Sequence, residues 1–167
     1  MNLRFLRRLL LLAVLLLSQT LVLNHIHLFG HATPMLQAYF VLTFRRNYPK
    51  WAMLVWSFLL GLGVDTFSNT PGVDAGAMTL LALLQPYALA LFLQRESEED
   101  LRPGILSLGF PKFLTYALLL TLVHCLLFLT LETFTFFNWR EWALGVGGST
   151  LLSTVLVVVA DMMRKER

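Results

Sequence analysis

Two carboxylates, Asp65 and Asp74, stand in an otherwise apolar region on either side of the turn formers Ser68-Asn-Thr-Pro-Gly72. In oily surroundings a carboxylate needs a partner, a helix end or water, so these acids are the first place to look for chemistry. A second polar pair, His124 and Glu132, lies eight residues apart in a later apolar run. On a helix the two sit about 80° apart and could share a polar seam. Cys125 follows His124 and invites a thiol nucleophile, but neighbouring helical residues point about 100° apart, and no third group is evident to orient a base. His25, His27 and His31 have the composition of a metal site. Zinc holds its ligands tetrahedrally and draws a distant fourth group, whereas these three share one short loop, so no metal is expected. The sequence supplies no phosphate loop, metal-binding acid cluster, catalytic triad or cofactor box. It reads as a scaffold rather than an enzyme, with no cofactor.

The elements that must position these residues are apolar helices. Hydrophobic residues make up 57% of the chain and charged residues 14%, with a mean hydropathy of +0.68. Soluble domains carry about 25% charged residues, so the composition is that of an integral membrane protein. The 167 residues fit one all-α transmembrane domain, 1–167, with no separate soluble part. The basic residues bracket the apolar runs instead of forming one patch, which argues against nucleic acid and for a topology signal. With a single cysteine, no intrachain disulfide is available.

Arg4, Arg7 and Arg8 precede Leu9–Leu17 in the manner of a signal peptide, yet no cleavage site follows and apolar character continues to Leu23. That length predicts a spanning helix. Further spans are predicted at Trp51–Phe67, Ala75–Leu93, Phe113–Leu131 and Trp142–Met162. The run Pro34–Phe44 is about 17 Å long as a helix, short for a ~30 Å core. Charge decides whether it crosses. With six spans and both termini inside, twelve of the thirteen basic residues lie on the cytoplasmic side, Arg140 being the exception. Without that crossing nine of them move outside, so six transmembrane helices with cytoplasmic termini are expected. The Asp65–Asp74 turn then faces outward, and Asp74 is placed to cap the following helix. Asp161, near the inner end, is expected to pair with Arg164 or Lys165. Pro86 interrupts the fourth span. Gly61, Gly63, Gly76, Gly145 and Gly148 are expected where helices pack closely in lipid.

The run Gly61-Leu-Gly-Val-Asp65-Thr-Phe-Ser68-Asn-Thr-Pro-Gly72, followed by Ala75-Gly-Ala-Met-Thr-Leu-Leu-Ala and Gln85-Pro-Tyr87, resembles the signature hairpin of the MreD family of rod shape-determining membrane proteins. The run Gly109-Phe-Pro-Lys-Phe113, with Tyr116, His124, Glu132, Phe136, Phe137 and Gly148-Ser-Thr-Leu-Leu-Ser153, is similar to the Bacteroides-type version. Many relatives carry Gly where this chain has Asn69 and His where it has Asp74. Asn tolerates the left-handed conformation, so the turn should persist. The resemblance implies a non-enzymatic component of the cell-elongation machinery in the bacterial cytoplasmic membrane. Its implied partners are MreC, the SEDS glycosyltransferase and the penicillin-binding transpeptidase of peptidoglycan synthesis, with MreB beneath the membrane. It makes Asp65, Ser68, Asn69, Pro71, Gly72 and Asp74 the structural and partner-binding hairpin. The family also resembles the six-helix S components of vitamin transporters. The alternative function is therefore an S-component-like binder or transporter of a small molecule or lipid intermediate, with Asp65, Asp74, His124 and Glu132 lining an outward pocket.

Overall fold

A leucine-rich segment in lipid has no water to satisfy its backbone, so a helix is its stable form. The computed structural model describes residues 2–26, 30, 32–93, 100–134 and 138–165. The helices are α1 (Leu3–Leu21), α2 (Ala38–Leu42), α3 (Lys50–Ser68), α4 (Val73–Phe92), α5 (Ile105–Leu108), α6 (Phe110–Thr133) and α7 (Trp139–Lys165), with a 3₁₀ turn at Leu23–His25. No strand occurs among the described residues. Five of the helices, α1, α3, α4, α6 and α7, are long and apolar enough to cross a bilayer. α4 runs through Pro86 to Phe92 as one helix.

The long helices adjoin in the order α1, α3, α4, α6, α7, and α2 touches every one of them. α2 is thus the axis that the others surround. Every residue of α2 is buried, and so is Phe44 just after it. The sixth predicted helix therefore differs from the other five, because only Ala38–Leu42 is helical and irregular backbone flanks it. Length ceases to matter for a segment that never meets lipid. Its unsatisfied backbone groups matter instead, since irregular chain at membrane depth is tolerated only when protein satisfies it.

The neighbouring helices supply those partners. Ser149 Oγ of α7 accepts the Thr33 N–H at 3.1 Å, and Ser153 Oγ, one turn later, accepts the Met35 N–H at 2.9 Å. From α1, Gln19 Oε1 accepts the Leu36 N–H at 2.9 Å while its Nε2 donates to the Pro34 carbonyl at 3.0 Å. At the far end, Gln85 Nε2 donates to the Phe44 carbonyl at 3.3 Å and the Arg46 N–H to the Leu101 carbonyl at 3.0 Å. The Arg8 guanidinium lies 3.8 Å from the Tyr48 ring centre. Gln19 and Arg8 are about 16 Å apart along α1. The segment thus starts beside the end of α1 and finishes beside its beginning.

Close helix approach rests on two of the predicted glycines. A Cβ on Gly61 would lie 2.6 Å from Ala75 Cα and 2.8 Å from the Asp74 carbonyl, so the α3 and α4 backbones touch. A Cβ on Gly148 would lie 2.9 Å from Ala32 Cβ. Gly63 faces only the mobile end of Leu16, and Gly145 is buried in α7. Gly76 departs from expectation: a Cβ there would meet Leu131 Cδ1 at 3.8 Å, an ordinary contact, so packing does not require glycine.

Candidate functional site

The hairpin between α3 and α4 is built from its turn chemistry. Asn69 takes the left-handed conformation (φ 57°, ψ 38°) and its N–H donates to the Asp65 carbonyl, closing α3. The Thr70 N–H reaches the same carbonyl at 3.2 Å. Gly72, at φ 82°, then turns the chain into α4, and a glycine offers no side chain to cap the new helix. Asp65 supplies the cap from the preceding helix. Its Oδ1 accepts the Asp74 N–H and the Thr70 hydroxyl, and its Oδ2 accepts the Ala75 N–H, all at 2.9 Å. A buried carboxylate is thereby satisfied and set against the positive end of the α4 dipole. Ser68 Oγ, alongside, accepts from Asn24 Nδ2. Pro71 and Gly72 form the exposed tip.

Asp74 therefore does not cap α4, contrary to expectation, because Asp65 already holds the first-turn N–H groups. Its carboxylate points into the bundle, where Oδ1 accepts from Gln37 Nε2. His124 Nε2 lies 3.7 Å from the same oxygen and 3.2 Å from Gln37 Nε2. Gln37 immediately precedes α2, Asp74 comes from α4 and His124 from α6, and each is at most 1% exposed. Three atoms of the cluster, Gln37 Oε1, Asp74 Oδ2 and His124 Nδ1, have no hydrogen-bond partner among the described residues. The two hydrogens of the Gln37 amide reach Asp74 Oδ1 and His124 Nε2, so this amide bridges the carboxylate and the ring and lessens the cost of burying both.

Above this cluster lies a cleft of about 350 Å³ with Gln19, Asn24, Gln37, Ser68, Thr70 and Glu132 in its wall. Gln37 belongs to both cleft and cluster. Of the four residues expected to line an outward pocket, only Glu132 does so; Asp65 caps α4, and Asp74 and His124 pair beneath. The predicted seam between His124 and Glu132 along α6 is likewise replaced by one running across helices, because His124 turns toward α4 and Glu132 sits in the exposed last turn.

Cys125 Sγ faces Ser153 Oγ at 3.9 Å, away from the direction His124 takes. Of the loop histidines, His25 is exposed, while His27 and His31 lie outside the described residues. No group of three metal-ligating side chains occurs among the described residues. At the other end of the bundle Asp161 meets Arg164 at 3.5 Å, as its spacing predicts, and also accepts the Ile105 N–H at 2.8 Å and the Tyr39 hydroxyl at 3.3 Å.

Sequence reasoning overlooked Gln19 and Gln37, and it placed Ser149 and Ser153 only within a small-residue run, not as hydrogen-bond acceptors. Gln37 carried a signal, being the only amide in the run Pro34–Phe44. Ser149 and Ser153 carried a weaker one in their one-turn spacing beside Gly148.

Five apolar helices around a polar buried cluster fit a multi-pass membrane protein. No family model, curated protein or solved structure matches the chain.

Proposed function

We propose that this chain is a non-enzymatic scaffold of the MreD type. It crosses the bacterial cytoplasmic membrane six times with both termini inside, binds MreC and helps position the SEDS glycosyltransferase and penicillin-binding transpeptidase near MreB. One observation carries the reading: the first of the two runs that bear the resemblance forms a single locked hairpin, the second being spread over α6, α7 and Phe136 and Phe137, which lie outside the described residues. Asp65 spends both oxygens on the turn and the start of α4, Gly61 lets the two backbones touch, and Phe67, Pro71 and Gly72 remain exposed at the tip. Such a unit holds a protein-contact surface in shape instead of offering a reactive carboxylate. The sixth pass is supported by the lengthwise course of the central segment between Gln19 and Arg8. Labelling single cysteines at positions 46 and 50 with an impermeant reagent should require membrane disruption; labelling from outside intact cells overturns this topology.

Co-purification from membranes tests the function. The intact protein should retain MreC, and Asp65→Ala should lose most of it. An intact, folded protein that retains no MreC refutes the proposal. The outer cleft, with Gln37 at its base, favours a second reading as a small-molecule binder of S-component type. That reading gains ground if a Gln37 variant loses a saturable ligand while MreC association is absent.

A further inference from the structure

The end of the bundle opposite the hairpin holds a cavity of about 420 Å³, walled by Arg4, Arg7, Arg8, Arg45 and Arg102 together with Tyr48. Its volume is in the range of small-ligand sites. Among the described residues, five guanidinium groups face one carboxylate in the wall, Asp100, which Arg45 engages. The guanidinium groups of Arg4, Arg7 and Arg102 make no ion pair or hydrogen bond with the described residues, while Arg102 lends only its carbonyl to Ser107. Arg8 is fixed in place by stacking on Phe44 and Tyr48, 4.6 Å and 3.8 Å from the ring centres. Stacking leaves the guanidinium edge free to donate to an anion, and its fork geometry suits phosphate.

The surroundings identify the source of that anion. Leu3, Leu6, Leu10, Val14, Leu17 and Leu21 are all about half exposed or more, and they follow one another at helical spacing along α1. Round the helix, Arg7 lies about 60° from this stripe, Arg4 about 115° and Arg8 about 155°, so the arginines lead from the lipid-facing side round the first turns of α1 into the cavity. The cavity wall itself turns apolar toward Phe5, Leu11 and Trp56. A charged chamber reached round the helix end from a lipid-facing stripe suits an amphiphile whose phosphate enters past Arg7 and Arg4 while its acyl chains stay along the stripe. We propose that this arginine cavity binds the phosphate headgroup of an anionic phospholipid whose acyl chains lie along α1. The site is independent of the scaffold reading, since none of its residues belongs to the hairpin.

The test uses the full chain purified in a neutral detergent, with binding read by native mass spectrometry and by thermal shift. Dioleoyl phosphatidylglycerol should bind saturably and raise the melting temperature, and dioleoyl phosphatidylcholine should do neither. Arg8→Gln with Arg102→Gln should weaken phosphatidylglycerol binding about 25-fold, at about fivefold for each guanidinium near a headgroup. Should that variant fail to fold, Arg4→Gln with Arg7→Gln, at exposed positions of α1, should give a comparable loss. Equal binding of the two lipids, or undiminished phosphatidylglycerol binding by a folded double variant, overturns the proposal. Inorganic phosphate reproducing the whole thermal shift would assign the cavity to a soluble anion and overturn the lipid assignment.

Discussion

Replacing Asp65 by alanine removes both oxygens that accept at the start of α4. The Asp74 and Ala75 N–H groups are then left buried without acceptors, at about 1–3 kcal/mol each. The Thr70 hydroxyl is only half buried and can turn to water, so its loss adds little. Losing a negative charge at the α4 N-terminus adds about 0.3–1 kcal/mol. The sum, about 2–7 kcal/mol, is a large part of the 5–15 kcal/mol that holds a typical protein folded. At about 2–4 °C per kcal/mol for a chain of this size, Asp65→Ala should melt about 10 °C below the natural protein. Asp65→Asn keeps one acceptor for the Thr70 and Asp74 donors but sets an NH₂ group against the Ala75 N–H. It should fall about midway. Fluorescence-detected size-exclusion chromatography of a tagged protein, heated in steps in detergent, reads these midpoints directly. An Asp65→Ala protein that stays monodisperse and melts within about 2 °C of the natural chain would refute the capping argument, since even one orphaned buried N–H costs about 1 kcal/mol.

Gly61→Ala forces a methyl group to 2.6 Å from Ala75 Cα and should cost about 1–3 kcal/mol in the same heating assay, while Gly76→Ala, with ordinary room around it, should be near neutral. Ser149→Ala combined with Ser153→Ala deprives the Thr33 and Met35 N–H groups of their acceptors and should lower stability by about 2–5 kcal/mol. Hydrogen exchange of residues 33–36 should rise in that double variant before exchange elsewhere does. Gln37→Leu removes the donor to Asp74 Oδ1 and should destabilise by about 1–3 kcal/mol, with Asp74→Asn in the same chain recovering part of the loss because the buried carboxylate is gone.

The long helices were legible because lipid imposes one requirement on every residue of a spanning run, and a leucine-rich stretch shows it plainly. The turn was legible too, since Asn69, Pro71 and Gly72 each have a local backbone reason to be where they are. The central segment was not. A short apolar run looks alike whether it meets lipid or is enclosed by other helices. The partners that allow its irregular backbone come from three other helices, α1, α4 and α7, those of α7 lying 116 and 118 residues further along the chain. The roles of the two acids depended on a similar distinction. Local rules place Asp74 near the N-terminus of α4, and only the position of α3 shows that Asp65 has already taken those N–H groups. His124 and Glu132 share a helix, but the direction each side chain takes is set by which neighbour stands beside it.

The enclosure of α2 also orders the chain's assembly in time. The acceptors for Thr33 and Met35 lie 116 and 118 residues further on, so a ribosome must finish most of the protein before they exist. Until α7 is inserted, the segment carries bare N–H groups that lipid cannot satisfy. It must therefore wait at the bilayer surface or within the translocation machinery and take its place last, drawn in by its completed ring. Chains truncated before α7 should be recognised by membrane proteases as unfinished, although four long apolar helices are already made.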